Sequence, residues 1–178
     1  MRIIAGKLRG LKLNEFDADN IRPTIDRVRE AVFNKIQFRI KDASVLDLFC
    51  GTGAVSLEFL SRGAKVTSVD NNPNSIRLIK ENFKKAKITP NLIEADYKSA
   101  LKKLSDNQFD IVFLDPPFAT TYGEESIRFL AQHDMLKPDG IIVYEHSVDK
   151  AFEVPENISL VDQKKYGTIA VSYLEKKQ

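Results

Sequence analysis

Four aspartates stand where an apolar run gives way to a turn, and the residues beside each are those that ligand chemistry asks for. Asp47 lies inside the run that ends Asp47-Leu48-Phe49-Cys50-Gly51-Thr52-Gly53. A carboxylate among apolar neighbours is costly to bury without partners, and a ligand ammonium, met directly or through water, is one such partner. Gly51 and Gly53 let the backbone approach a ligand closely, and the helix that follows offers free N–H groups at its start. The dinucleotide fingerprint wants a third glycine where this chain has Ser56, which counts against NAD. Asp70, 17 residues after Gly53, ends a second apolar run. There it either accepts both hydroxyls of a ribose or caps the helix opened by Pro73, a task that Asn71 or Asn72 could take instead. Asp96, past a third run, accepts from an adenine amino group or caps the helix that follows.

The sharpest signal is Asp115-Pro116-Pro117-Phe118, at the end of the fully apolar run Ile111–Leu114. Two prolines stiffen the backbone just beyond a buried strand and stop it pairing further. A carboxylate on one side and an aromatic ring on the other then project into whatever crevice lies there.

These residues need a frame that brings strand ends together. From Ser44 onward strands and helices alternate: strands at 45–49, 65–70, 91–95 and 111–115, helices at 54–62, 73–85 (inner face Ile76, Ile79, Phe83), 99–104 and 125–132. The turn Lys137-Pro138-Asp139-Gly140 delivers a fifth strand at 141–145, and 158–164 with 168–174 around Tyr166-Gly167 reads as a closing antiparallel hairpin. Alternation with continuous apolar strands indicates an α/β fold, a parallel sheet covered by helices on both faces, with ligands at the carboxyl ends of the strands. Ahead of this core (41–178) come a basic arm (1–20), a β-hairpin over its first 13 residues with Gly6 and Gly10 as turn points, and a leading helix (21–40) with Thr24 as N-cap.

The chain has 178 residues and is expected to form one domain. Its apolar runs are too short to span a bilayer, and its start shows no secretory signal, so a cytoplasmic location is expected. One cysteine, Cys50, excludes an internal disulfide, and His133 and His146 give no zinc spacing, so no metal is expected. The net charge of +2 hides an asymmetry: residues 1–41 hold 10 Lys/Arg against 5 Asp/Glu, and the remainder is net acidic. Arg2, Lys7, Arg9 and Lys12 meet no acid within the first fourteen residues, which suits either a solvated strand or a polyanion contact.

Together these residues resemble the class I S-adenosylmethionine methyltransferases, and within them the RsmD-type 16S rRNA guanine-N2 methyltransferases. The likeness spans the chain: Arg2-Ile3-Ile4-Ala5-Gly6, Arg22-Pro23-Thr24 with Arg27-Val28-Arg29-Glu30 and Phe33-Asn34, the glycine turn, Ser61-Arg62-Gly63-Ala64, Asp115-Pro116-Pro117-Phe118, and the tail hairpin. Cys50 stands where the family more often has alanine, and Asp70 where it more often has glutamate. The resemblance implies a Rossmann-like, mostly parallel seven-stranded sheet and S-adenosylmethionine as cofactor. Asp47, Phe49, Gly51, Thr52 and Gly53 would bind that cofactor with Asp70, Asn71, Asp96 and Tyr97. Arg22 and Thr24 would meet its carboxylate end or the RNA. Asp115 and the Pro116 carbonyl would hold the target amine, with Pro117 stiffening the loop and Phe118 stacking on the base. Arg2, Lys7, Arg9, Lys12, Arg27 and Tyr122, the last on a polar loop Ala119–Gly123, would face RNA. The implied partner is 16S ribosomal RNA or an assembling small subunit, met by a monomer.

Two other readings fit the same strand ends. A DNA adenine-N6 or cytosine-N4 methyltransferase would use them too, but usually carries a separate target-recognition region for which 178 residues leave little space. A non-catalytic nucleotide- or RNA-binding module would not need Asp115-Pro116-Pro117-Phe118 intact, and cofactor calorimetry would separate it.

Overall fold

A computed structural model describes residues 1–16 and 22–178, with side chains from residue 25 onward in the first helix. That helix, α1 (Arg22–Ile36), leads through a 3-10 turn (Gln37–Arg39) to β1 (Ser44–Asp47). Alternation follows: α2 (Ala54–Ser61), β2 (Lys65–Asp70), α3 (Pro73–Ala86), β3 (Leu92–Glu94), α4 (Tyr97–Lys103), β4 (Phe109–Leu114), α5 (Tyr122–Gln132) and β5 (Leu136–Ser147). The chain closes with β6 (Ile158–Tyr166) and β7 (Ile169–Lys176). The seven strands form one sheet in the order β3-β2-β1-β4-β5-β7-β6. Neighbours from β3 to β5 run parallel, and β7 inserts antiparallel between β5 and β6. The order reverses between β1 and β4, so a crevice is expected where those two strands end.

Strand residues alternate between two cores. Leu46, Val112, Leu114, Ile142 and Tyr144 pack under α4 and α5, while Val45, Ile111, Phe113, Ile141 and Val143 pack under α1 and Phe59 of α2. That two-residue period puts Asp47, at the end of β1, on the α1 face with Val45, and sends Asp115 the same way as Phe113.

The first helix begins at Arg22, so Thr24 lies in its first turn rather than capping it as the sequence suggested; the cap position falls outside the described residues. On α3 the inner face is Leu78, Ile79 and Phe83, with Ile76 only half-buried. Residues Lys137–Gly140, read as a turn, lie within β5 instead. The pairing shifts register between Phe109 and Ile111, and a Cβ on Gly140 would come within 2.9 Å of the Lys137 and Phe109 carbonyls. The bend is thus absorbed as a bulge inside the sheet.

The arm is docked, not free. Arg2 bridges Lys12 in antiparallel fashion, with Ile3 and Leu13 buried against Ile79, Phe83 and Leu57. The buried Glu58 carboxylate accepts the Ile4 and Ala5 N–H groups at 2.8 and 3.0 Å and is paired with Arg62. At the hairpin tip a Cβ on Gly6 would strike the Ser61 carbonyl at 2.0 Å, so only glycine fits there.

Candidate active site

A crevice of about 530 Å³ opens where β1, β2 and β4 end, within the size range of small-molecule sites. Phe49, Gly51, Asp70, Asn71, Asp96, Tyr97, Asp115, Pro116, Pro117, Phe118 and Tyr122 all line it. A larger groove of about 730 Å³ runs beside α5 and residues 151–156, but Glu124, Glu125, Glu153 and Glu156 line it and no strand of the parallel sheet ends in it. Its acidity disfavours phosphates, and none of the site residues expected from the sequence lines it.

The glycine turn is pinned from several sides. The Asp70 carboxylate accepts the Gly51 N–H and the Asn72 N–H, each at 2.9 Å. The cap of α3 is Asn72, whose side chain accepts from Asn74 and Ser75, so Asp70 is not that cap. It ties the turn to the end of β2 and keeps free lone pairs toward the crevice. Gly53 has φ 79°, and a Cβ there would meet Ile79 at 2.6 Å; at Gly51, φ 52°, a Cβ would meet nothing within 4 Å. Gly53 therefore serves close packing, and Gly51 leaves space for a ligand to lie against the backbone. Thr52 contributes its carbonyl, which accepts from the Asn82 side chain at 2.8 Å.

Asp47 is fully buried. Ser56, at the place where a dinucleotide site would have glycine, donates to its Oδ2 at 2.6 Å and sits 2.7 Å from the Ser68 hydroxyl. Its Oδ1 is buried with no hydrogen-bond partner, the kind of orphan that a bound cation would satisfy. Burial, with the charges of Asp115 and Asp70, pushes the carboxyl up to about 7 despite the Ser56 bond. Asp115 is exposed and lines the crevice, where desolvation by the surrounding protein raises its carboxyl as well.

Asp96 caps α4, accepting the Ser99 N–H and hydroxyl at 3.1 and 2.6 Å, so the capping alternative holds and any contact with a ligand would be additional. Tyr122 is the first residue of α5 rather than a loop residue. The polar stretch before it folds back, with the Thr120 N–H and hydroxyl donating to the Pro117 carbonyl at 3.1 and 2.6 Å. Gly123 presses on the Tyr144 ring, which a Cβ would reach at 2.3 Å, and Lys150 ties the Thr120 carbonyl to Glu124. Tyr97 is buried, its ring 5.6 Å from Phe49 and 4.6 Å from Tyr122. Its hydroxyl donates to Glu125 at 2.7 Å. Phe118 and Tyr122 expose 38% and 39% of their surface at the crevice mouth, where an inserted ring could stack.

Arg2, Lys7, Arg9, Lys12 and Arg27 are exposed, but the hairpin tip rests on Ser61, the last residue of α2, at the end opposite the glycine turn. The side chains of Arg22 and Thr24 lie outside the described residues. Sequence reading missed Glu145, which the sheet places beside Asp115, and Asn82, whose contacts all lie more than 25 residues away; no local pattern marks either. Among the described residues no three His, Cys, Asp or Glu side chains form a metal-holding group, and no helix is long and apolar enough to cross a membrane.

The strand order and the site at its reversal define the class I methyltransferase fold. The family profile described as Conserved hypothetical protein 95 matches residues 1–175. A Haemophilus influenzae protein named ribosomal RNA small subunit methyltransferase D is 37% identical over 175 residues, covering 96% of this chain and 91% of that one. The Escherichia coli protein of the same name is 37% identical over 174 residues, covering 96% and 87%. The solved structure of yhhF, a candidate methyltransferase of Escherichia coli, superposes with a TM-score of 0.86 at 34% identity, covering 99% of this chain and 98% of that one. The chain belongs to this family, the RsmD family of methyltransferases.

Proposed function

We propose that the protein methylates the exocyclic N2 amino group of a guanine in 16S ribosomal RNA, free or within an assembling small subunit, using S-adenosylmethionine. The observation that carries this reading is Asp115, a carboxylate open to a crevice at the sheet's reversal point and flanked at the mouth by Phe118 and Tyr122. The names of the relatives support the RNA class, and the residues of the crevice fit the cofactor. Gly51 leaves its backbone open and Asp70 faces in from the next strand, while Asp47, fully buried at the end of β1 and not part of the lining, holds an orphaned oxygen.

When bound, S-adenosylmethionine supplies a methyl group on a positively charged sulfur. An aryl amine is a poor nucleophile because its lone pair is delocalised into the base. Asp115 and the Pro116 carbonyl accept its two N–H groups, turn the lone pair toward the methyl and stabilise the positive charge that develops on nitrogen. The methylated ammonium is acidic and loses its proton readily, so no strong base is needed beforehand. The Phe118 ring stacks on the base, a contact worth roughly 1–3 kcal/mol, and a base within a helix must first be splayed out.

The test is transfer of labelled methyl from S-adenosylmethionine to 16S rRNA, to small-subunit particles and to DNA, with the product nucleotide identified by mass. N2-methylguanine in rRNA is the expected product. Labelling of DNA alone, or of another base nitrogen, would overturn the reading.

A further inference from the structure

Glu145 takes no part in the chemistry above, yet the sheet sets it beside the reacting carboxylate. Leu114 pairs with Tyr144 across β4 and β5. Continuing that register by one residue puts Asp115 and Glu145 on adjacent parallel strands, with backbones about 5 Å apart, on the face opposite Leu114 and Tyr144. Asp47 pairs with Phe113, two residues before Asp115 on that same face. Three carboxylates thus lie near one another on one face of three neighbouring strands. Among the described residues none of them pairs with Lys, Arg or His, and the Ser56 hydroxyl is the one hydrogen-bond partner among the three side chains. Their oxygens do not converge as metal ligands would. The fully buried Asp47 leaves its Oδ1 without a hydrogen-bond partner, so among the described residues no protein cation answers these charges. Burial and mutual repulsion hold Glu145 well above the ordinary carboxylate range, with Asp115 and then Asp47 as the repelling charges.

We infer that Glu145, beside Asp115, makes the site favour the positively charged methyl donor over its neutral-sulfur product, so that discharge of the sulfur weakens the hold on the spent cofactor. The inference rests on the reading that S-adenosylmethionine is the donor. Donor and product share the adenosine, the ammonium and the carboxylate. They differ by the methyl group and by one positive charge, which leaves sulfur as the methyl bonds to the amine nitrogen and departs with the proton that nitrogen then loses. Asp115 and Glu145, with no cation of their own, respond to that charge, whereas the glycine turn, Asp70 and Asp47, which suits the ammonium, address parts that both molecules keep.

The test is calorimetric affinity of the full chain and of Glu145→Gln and Glu145→Asp for three ligands: S-adenosylmethionine, S-adenosylhomocysteine, and sinefungin, whose amine carries a charge in place of the sulfonium. Glu145→Gln should weaken S-adenosylmethionine and sinefungin about tenfold, a shift of the size one screened charge produces, and S-adenosylhomocysteine by less than about threefold. Glu145→Asp keeps the charge and should keep the preference. Since Glu145 makes no hydrogen bond and is repelled by its neighbours, Glu145→Gln should melt no lower than the natural chain, which a thermal melt checks. Equal changes for all three ligands, or none, would overturn the inference and leave the cofactor reading standing. A natural chain that binds none of the three would overturn both.

Discussion

At Asp115 a fixed negative charge helps most once the amine begins to attack, because positive charge then grows on the nitrogen that it holds. Asp115→Ala should therefore lower the single-turnover rate of methyl transfer on the order of 10²-fold or more at saturating cofactor. Asp115→Asn, which keeps an acceptor oxygen, should be impaired less, and a fully active Asp115→Ala enzyme would place the chemistry on another strand. Asp47 makes a different prediction, one about stability. Its folded carboxyl is raised from 3.8 to about 7, chiefly by burial. A group raised in the folded state contributes stability that is complete below its unfolded value and is lost as pH rises through the folded one. The natural protein without cofactor should thus lose stability between about pH 4 and pH 7. Asp47→Asn, which keeps an acceptor for Ser56, should gain relative to it over that window, by roughly 2 kcal/mol or more. Thermal melts of both proteins across the window decide the point; parallel curves would mean that Asp47 is not buried as a titrating acid.

At the scale of elements, legibility in the sequence tracked punctuation. The strand Lys65–Asp70 and the start of α3 at Pro73 could be read to the residue, because a glycine, an acid and a proline bound them. Lys137-Pro138-Asp139-Gly140 carried equally strong turn chemistry and still lies in a strand, since the sheet accommodates the bend as a bulge. The four aspartates were legible because each closes an apolar run, but whether each meets a ligand or a backbone depends on neighbours far along the chain. Asn82 is the clearest instance. Fully buried, it accepts the Asn14 N–H at 2.7 Å and donates to the Asn14 carbonyl at 3.0 Å and the Thr52 carbonyl at 2.8 Å, so one side chain joins the arm to the glycine turn. From sequence the arm reads as either a solvated strand or a polyanion contact, with no sign of this tie. With this tie in place, Asn82→Ala takes a partner from three half-buried backbone groups, at about 1–3 kcal/mol for each that stays dry. It should lower the melting temperature by several degrees and weaken S-adenosylmethionine binding. Removing residues 1–13 should do the same by uncovering Ile79 and Phe83. Cofactor affinity unchanged in both variants, measured by calorimetry, would mean that the turn keeps its shape unaided.

Over the whole molecule, carboxylates stand near the strand ends on the crevice side, and the arm and the end of α3 together carry a run of exposed cations without ion pairs among the described residues. Several lysines and arginines elsewhere are engaged. Lys35 pairs with Asp162, Arg39 with Glu175, Lys80 with Glu94, Lys137 with Asp110 and Lys176 with Asp134. Lys7, Arg9 and Lys12 are exposed and, among the described residues, make no ion pair; Lys84 and Lys87 at the end of α3 share that state. Because the arm packs on Ile79, Phe83 and Ala86 of that helix, these cations border one surface. Exposed cations attract an RNA backbone through counterion release, whose signature is a linear fall of log affinity with log salt, at about 0.7 to 0.9 per phosphate neutralised. Replacing Lys7, Arg9 and Lys12 by glutamine should thus lower that slope by about 2 for ribosomal RNA if all three meet phosphates, and Lys84 with Lys87 should add a smaller decrement. None of these side chains contributes to the buried contacts of the arm, so the melting temperature and cofactor affinity should stay near those of the natural chain. Filter binding of 16S rRNA across a salt series measures the slope. An unchanged slope in the triple variant would assign the arm to holding the glycine turn and move the RNA surface to the crevice mouth around Phe118 and Tyr122.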